Sequence, residues 1–217
     1  MSPEFDYQWK NIPSKNIEYN PKRVDELLSF TGIPPEYFNG KSVLDAGCGN
    51  GRYTYALMEL GANVKSIDIS SEAVKATEKI NPNTRVCDIL ELPKSSFDFV
   101  LSWGVIHHTP SPHDNFLSLV NQLAPGGILH IMVYSAKSQR RYVKLRRKFS
   151  TLDYKGKMAM CEELAKKRGD VHGWWDALNP KHNHGYSRGE ISQWYVNAKF
   201  KNIWVAPTGN INVNGKI

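Results

Sequence analysis

A chain of 217 residues, 41% hydrophobic and 11% aromatic, is long enough to bury one sizeable core and reads as one domain with an elaboration. Its formal charge of +7 is concentrated in an acid-free run carrying Lys137, Arg140, Arg141, Lys144, Arg146, Arg147 and Lys148; this reads first as a solvated helix face and second as a surface for phosphate, RNA or anionic lipid. No apolar stretch approaches the ~20 residues a membrane helix needs, the start lacks a secretory layout, and Cys48, Cys87 and Cys161 show no C-x-x-C spacing, so a reduced, cytoplasmic protein without an integral membrane segment is expected.

Residues 1–40 carry Tyr7, Trp9, Tyr19 and Phe30, a leader too aromatic for an inert tail. From Lys41 to Tyr134 short apolar runs alternate with amphipathic stretches, the rhythm of βα units that build a parallel sheet. Strands are predicted over Ser42–Ala46, Val64–Ile69, Thr84–Cys87, Phe97–Ser102 and Ile128–Tyr134. A helix is predicted over Pro112–Leu123: Ser111 can cap it, Pro112 suits its first turn, and Phe116, Leu119, Val120 and Leu123 share a face. Pro125-Gly126-Gly127 is expected to stop it. Residues 135–186 lose the rhythm and read as a basic helix, a helical stretch around Lys157–Lys167 and a loop rich in Trp, His, Pro and Asn. Ser187 and Glu190 then have the spacing of a capping box ahead of Ile191, Trp194, Tyr195 and Ala198. A strand at Asn202–Ala206, a turn at Thr208-Gly209-Asn210 and the alternating run Ile211–Gly215 end the chain as an antiparallel pair.

The segment Asp45-Ala46-Gly47-Cys48-Gly49-Asn50-Gly51 follows the first strand and opens a helix, where open α/β sheets bind ligands. Glycines there let the backbone turn sharply and approach a ligand closely. The dinucleotide fingerprint G-x-G-x-x-G would require glycine where Arg52 stands, which argues against NAD. Asp68 ends the next strand about 20 residues on, placed to accept hydrogen bonds from both ribose hydroxyls of an adenosine. A nucleoside without a pyrophosphate satisfies both observations.

Val43–Thr54 in this order with Ser66–Ser70, Cys87-Asp88-Ile89, Phe97–Ser102 and Leu123–Gly127 resembles the class I S-adenosylmethionine-dependent methyltransferases. The resemblance implies an α/β, Rossmann-like, doubly wound, seven-stranded sheet, mostly parallel with an antiparallel last strand, and a helical elaboration between strands five and six. It also implies S-adenosylmethionine as cofactor, bound by Asp45, Ala46, Gly47, Cys48, Gly49, Asp68, Ile69, Asp88, Ile89 and Ser102. Tyr7-Gln8-Trp9, Thr31-Gly32, Gly104–Pro110 and Trp175–Tyr186 with Glu190 and Trp194 further resemble bacterial small-molecule methyltransferases of the ubiquinone/menaquinone type. On this reading residues 1–40 cover the cofactor, 41–217 form the methyltransferase domain, and 135–186 are a substrate-side insertion.

Strand four leads into Trp103 and His107-His108, at the sheet edge that faces the reacting methyl group. If the acceptor is a hydroxyl, a neutral histidine can take its proton, which makes His108 and then His107 candidate bases; equally, either ring can shape the loop. Trp103, Trp174, Trp175, His182, His184 and Tyr186 are candidate acceptor contacts, with ordinary packing the alternative for the tryptophans. His182 and His184 lack a cysteine or carboxylate cluster to join them, so no metal is expected. The function expected is methyl transfer from S-adenosylmethionine to an oxygen or nitrogen of a small molecule. RNA modification through residues 137–148 is the alternative, and non-catalytic cofactor binding the third reading.

Overall fold

The computed structural model describes residues 3–12, 20–206 and 210–217. Seven strands, β1 Ser42–Ala46, β2 Asn63–Asp68, β3 Thr84–Val86, β4 Phe97–Trp103, β5 Leu123–Val133, β6 Asn202–Val205 and β7 Ile211–Lys216, form one sheet in the order β3-β2-β1-β4-β5-β7-β6. The first five are parallel, and β7 lies antiparallel between β5 and β6. The strand order reverses between β1 and β4, which places the ligand crevice of such sheets at their carboxyl ends.

Both faces of the sheet are covered, so its central strands read as near-continuous apolar runs and not as alternating ones. Successive residues point to opposite sides. Leu44, Ile67, Val100 and Ile131 pack on one side with Phe116 and Leu119 of helix Pro112–Val120, and with Ile191 and Tyr195 of helix Arg188–Asn197. Val43, Val64, Phe99 and Leu101 pack on the other with Leu27 and Phe30 of helix Lys22–Thr31, and with Tyr53 and Leu57 of helix Arg52–Glu59. The leader therefore supplies part of the second layer. Among the described residues no helix is long and apolar enough to cross a membrane.

In chain order the helices are α1 Pro3–Asn11, α2 Lys22–Thr31, α3 Arg52–Glu59, α4 Ser71–Thr77, α5 Pro112–Val120, α6 Ala136–Ser150, α7 Tyr154–Ala165, α8 Val171–Leu178 and α9 Arg188–Asn197. Residues 135–186 hold a small core of their own, in which Phe149 of α6, Cys161 of α7 and Trp175 of α8 meet Ile12 just after α1.

Most strand ends shift by a residue or so from the sequence reading, and three differences are larger or of another kind. Helix α5 ends at Val120, because Leu123 already pairs with Phe97 and opens β5; the register shift between Phe97 and Phe99 lets Pro125-Gly126-Gly127 run inside an irregular strand instead of a loop. Ser111 precedes α5 without a side-chain cap, and its carbonyl instead accepts from the Asn115 amide at 2.9 Å. The Trp-rich stretch read as loop contains α8, which Asp170 caps by accepting from the Gly173 N–H at 2.6 Å. The capping box on α9 forms as expected, with Glu190 N–H donating to Ser187 at 3.2 Å and Ser187 N–H donating to Glu190 at 2.6 Å. Tyr19 and the turn residues Thr208 and Gly209 lie outside the described residues.

Candidate active site

A cavity of about 920 Å³ lies at the carboxyl ends of β1, β2 and β4. That volume holds a nucleoside-sized ligand together with a small acceptor. One side is the turn after β1. Gly47, Gly49 and Gly51 take φ of +88°, +56° and +83°, the left-handed region that favours glycine. A Cβ on Gly47 would stand 2.3 Å from Val105, so the close approach of the two loops also requires glycine. The Gly47 and Cys48 N–H groups both donate to the Ile67 carbonyl, at 2.8 and 2.9 Å, locking the turn onto β2.

Two buried carboxylates stand under this turn. Asp45 accepts from the Thr54 hydroxyl at 2.6 Å, and burial pushes its carboxyl up to about 6. Asp68 accepts from the Ser70 N–H on one oxygen and the Gly49 N–H on the other, each at 2.9 Å, yet burial still carries it to about 6. Each carboxylate oxygen has a second lone pair, so Asp68 keeps acceptor capacity for the two hydroxyls of a ribose. The residues present thus fit an adenosine: glycines where the ligand must approach, an acid at the end of β2, and Asp88 and Ile89 on the cavity wall after β3. Asp88 also caps its own turn, accepting from the Leu90 N–H at 2.9 Å.

Helix α1 closes this side. Trp9 lies directly over Gly49, where an added Cβ would be 2.6 Å from its ring. Asp6 accepts from the Ser70 hydroxyl at 2.7 Å and from the Glu72 N–H at 3.4 Å, at the start of α4. Burial opposes ionisation of Asp6, but these donors bring its carboxyl below the usual range.

On the other side, residues of three remote segments meet at Asp176 of α8. Tyr134, after β5, donates to its Oδ2 at 2.6 Å, Gln8 of α1 donates to Oδ1 at 3.3 Å, and His108 Nε2 stands 3.5 Å from Oδ2. Burial opposes the charge on Asp176, but His108 and then Tyr134 hold its carboxyl well below the usual range. His108 Nδ1 is 3.0 Å from the His182 carbonyl, which can only accept. His107 is fully enclosed, with its ring centroid 4.1 Å from those of His108 and Tyr134; burial drives its pKa well down, and neither ring nitrogen has a partner among the described residues.

Of the residues singled out from sequence, Asp45, Gly47, Cys48, Gly49, Asp68, Ile69, Asp88, Ile89, Trp103, His108 and His182 line the cavity. Ala46, Ser102 and His107 are buried behind it. Trp175 is enclosed between Tyr7, Phe149 and Tyr154, and Trp174 packs on Tyr142 while its indole N–H donates to the Arg168 carbonyl at 2.8 Å. His184 and Tyr186 form a backbone clamp, their N–H groups donating to the carbonyls of His107 and Tyr134 at 2.9 and 3.0 Å. Tyr134, Phe5 and His172 reach the cavity without a sequence signal, and Asp176 stood out only as a member of the aromatic loop. Six basic residues of α6 are exposed, whereas Arg146 turns inward to the Ala177 carbonyl at 2.9 Å.

Comparison with known proteins adds a family. The profile described as a methyltransferase domain matches residues 17–205. A ubiquinone biosynthesis O-methyltransferase of Xanthomonas campestris pv. campestris is 31% identical over 121 residues, covering 52% of this chain and 48% of that protein. A tRNA U34 carboxymethyltransferase of Pseudoalteromonas atlantica is 38% identical over 98 residues, covering 40% of this chain and 30% of that protein. The chain thus spans about half or less of the length of the curated relatives it matches. A magnesium protoporphyrin IX methyltransferase of Synechocystis PCC 6803, solved with bound S-adenosylhomocysteine, shares the fold at a TM-score of 0.63 and 14% identity, covering 98% of this chain and 92% of that one.

Proposed function

The chain belongs to the methyltransferase-domain family, in the class I group that uses S-adenosylmethionine, and on that premise we propose that it methylates an oxygen or nitrogen of a small-molecule acceptor held in the cavity. When bound, S-adenosylmethionine supplies a methyl group on a sulfonium, open to in-line attack by such an atom. The observation that carries the reading is one cavity joining the Gly47–Gly49 turn, Asp68 and Asp88 to the His108–Asp176 side. Asp68 holds the ribose, while Gly47, Cys48 and Gly49 admit the rest of the donor with Asp45, Ala46 and Ser102 fixed behind them. Residues 1–40 cover the donor through Trp9, and residues 135–186 build the acceptor side through His182 and Asp176. His108 borders the cavity with Nε2 3.5 Å from Asp176 and can receive a proton from the acceptor through that carboxylate, whereas enclosed His107 supports its ring. Calorimetry of S-adenosylmethionine with the wild type and Asp68→Ala tests donor binding; the variant is expected to bind at least about tenfold more weakly, near 1.4 kcal/mol. Unchanged affinity defeats the assignment. Labelled donor incubated with cell metabolites then identifies the acceptor.

A second reading, RNA modification, is favoured by one observation: Lys137, Arg140, Arg141, Lys144, Arg147 and Lys148 form an exposed basic stripe on α6. The tRNA-acting relative points the same way. This reading requires RNA binding that weakens steeply with salt. Salt-insensitive or absent binding removes it.

A further inference from the structure

Tyr134, Gln8, His108 and the chain segments that carry them converge on a single carboxylate, and their burial differs in a telling way. The His108 side chain is only 3% exposed and its Nε2 is enclosed, while the Asp176 side chain is 24% exposed and lines the cavity. Both border the cavity, and the acid is the more open of the two. Asp176 is therefore the group an entering molecule meets, and its oxygens are held in place by a 2.6 Å phenol bond to Oδ2 and a 3.3 Å amide bond to Oδ1. These two bonds, with His108 Nε2 3.5 Å from Oδ2, still leave part of the carboxylate's acceptor capacity free.

From this arrangement we infer that Asp176 is the acceptor-binding residue of the site, gripping the methyl acceptor through an O–H or N–H. The inference rests on the function proposed above and names its substrate class: a molecule that enters as a hydrogen-bond donor, because an oriented, ionised carboxylate has no donor of its own and repels an acceptor that offers only lone pairs. The aromatic walls fit such a molecule if its donor sits on a ring. Phe5 and Trp9 border the cavity from the leader, Trp103 from β4 and Tyr154 from α7. Tyr134 and Gln8 are positioning residues that aim the carboxylate, and His108, with Nε2 3.5 Å from Oδ2, can take the donor's proton only through that acid. The competing role for Asp176 is a staple that merely fastens α8 and α1 to the sheet.

The two roles separate in a binding experiment that needs no identified acceptor. Matched aromatic fragments, catechol with its dimethyl ether and indole with N-methylindole, are titrated by ligand-observed NMR into the protein loaded with S-adenosylhomocysteine. The wild type is expected to prefer the O–H or N–H member of at least one pair by about tenfold, the difference between a charge-assisted hydrogen bond and none. Asp176→Asn should lose most of that preference while keeping its affinity for S-adenosylhomocysteine within about twofold, since none of its partners Tyr134, Gln8 and His108 is among the residues proposed to hold the donor. Tyr134→Phe, which removes the shortest bond to the acid, should lose part of the preference. No preference in the wild type, including no fragment binding, overturns the inference without reference to any variant. A preference that survives in Asp176→Asn overturns it too, and a parallel collapse of cofactor affinity and melting temperature assigns the residue to the staple role. Failure of the methyltransferase reading itself would appear separately, as a wild type that does not bind S-adenosylhomocysteine.

Discussion

The contact between Trp9 and Gly49 makes a quantitative prediction about how the leader is held. Gly49 sits at φ +56°, where alanine costs about 1 kcal/mol, and its added Cβ would stand 2.6 Å and 2.7 Å from two ring carbons of Trp9. Ordinary carbon contact needs about 3.6 Å, so the indole must move by about 1 Å and give up its packing. For a partly buried tryptophan that packing is worth about 2 kcal/mol. Gly49→Ala should therefore cost about 3 kcal/mol, Trp9→Ala about 2, and the double variant about 3, since with the ring gone only the backbone strain remains. The sum of the single variants exceeds the double by about 2 kcal/mol, a coupling that urea denaturation of the four proteins measures as a double-mutant cycle. Additivity within about 0.5 kcal/mol would refute the contact and with it the placement of α1 over the turn.

Other consequences follow from the same geometry. Because burial raises Asp68 to about 6, protonation removes acceptor capacity on the acid side of that value; affinity for S-adenosylmethionine should be highest above it and fall as pH drops through it, and an Asp68→Asn protein titrated by calorimetry should lose that dependence. Ser187→Ala breaks the capping box of α9, whose Ile191 and Tyr195 pack on the sheet, and should cost about 1 kcal/mol, read as a melting point lower by roughly 2–4 °C; no shift would show that packing alone sets that helix start. Arg141→Glu with Lys144→Glu reverses charge on exposed α6 positions, and should abolish any RNA binding without changing donor affinity if the second reading holds.

What was legible in the sequence, and what was not, divides along the range of the interactions. Ser42–Ala46 was found to the residue and the α9 box to the atom pair, because a buried strand's apolar run and a cap's spacing are local facts. The end of α5 was misplaced for the same reason: Leu123 continues the helical spacing of Phe116, Leu119 and Val120, and only pairing with Phe97, 26 residues away in sequence, draws it into β5. The cofactor side was also legible, since left-handed glycines and an acid at the next strand end are required by backbone geometry, whatever surrounds them. The acceptor side was not. Trp174 and Trp175 invite a stacking role, yet aromatics gain as much by packing on one another, and Trp175 does so with Tyr7 and Tyr154 while Asp176 beside it takes the cavity. Helix α8 packs on α1, α6 and α7, so the surroundings of Asp176 are set by elements outside residues 171–178. Asp176 meets Gln8, His108 and Tyr134, partners separated from it by 168, 68 and 42 positions. A lone aspartate in an aromatic stretch carries no trace of them, so the substrate-facing group of this fold becomes visible only when the leader and the insertion are closed over the sheet.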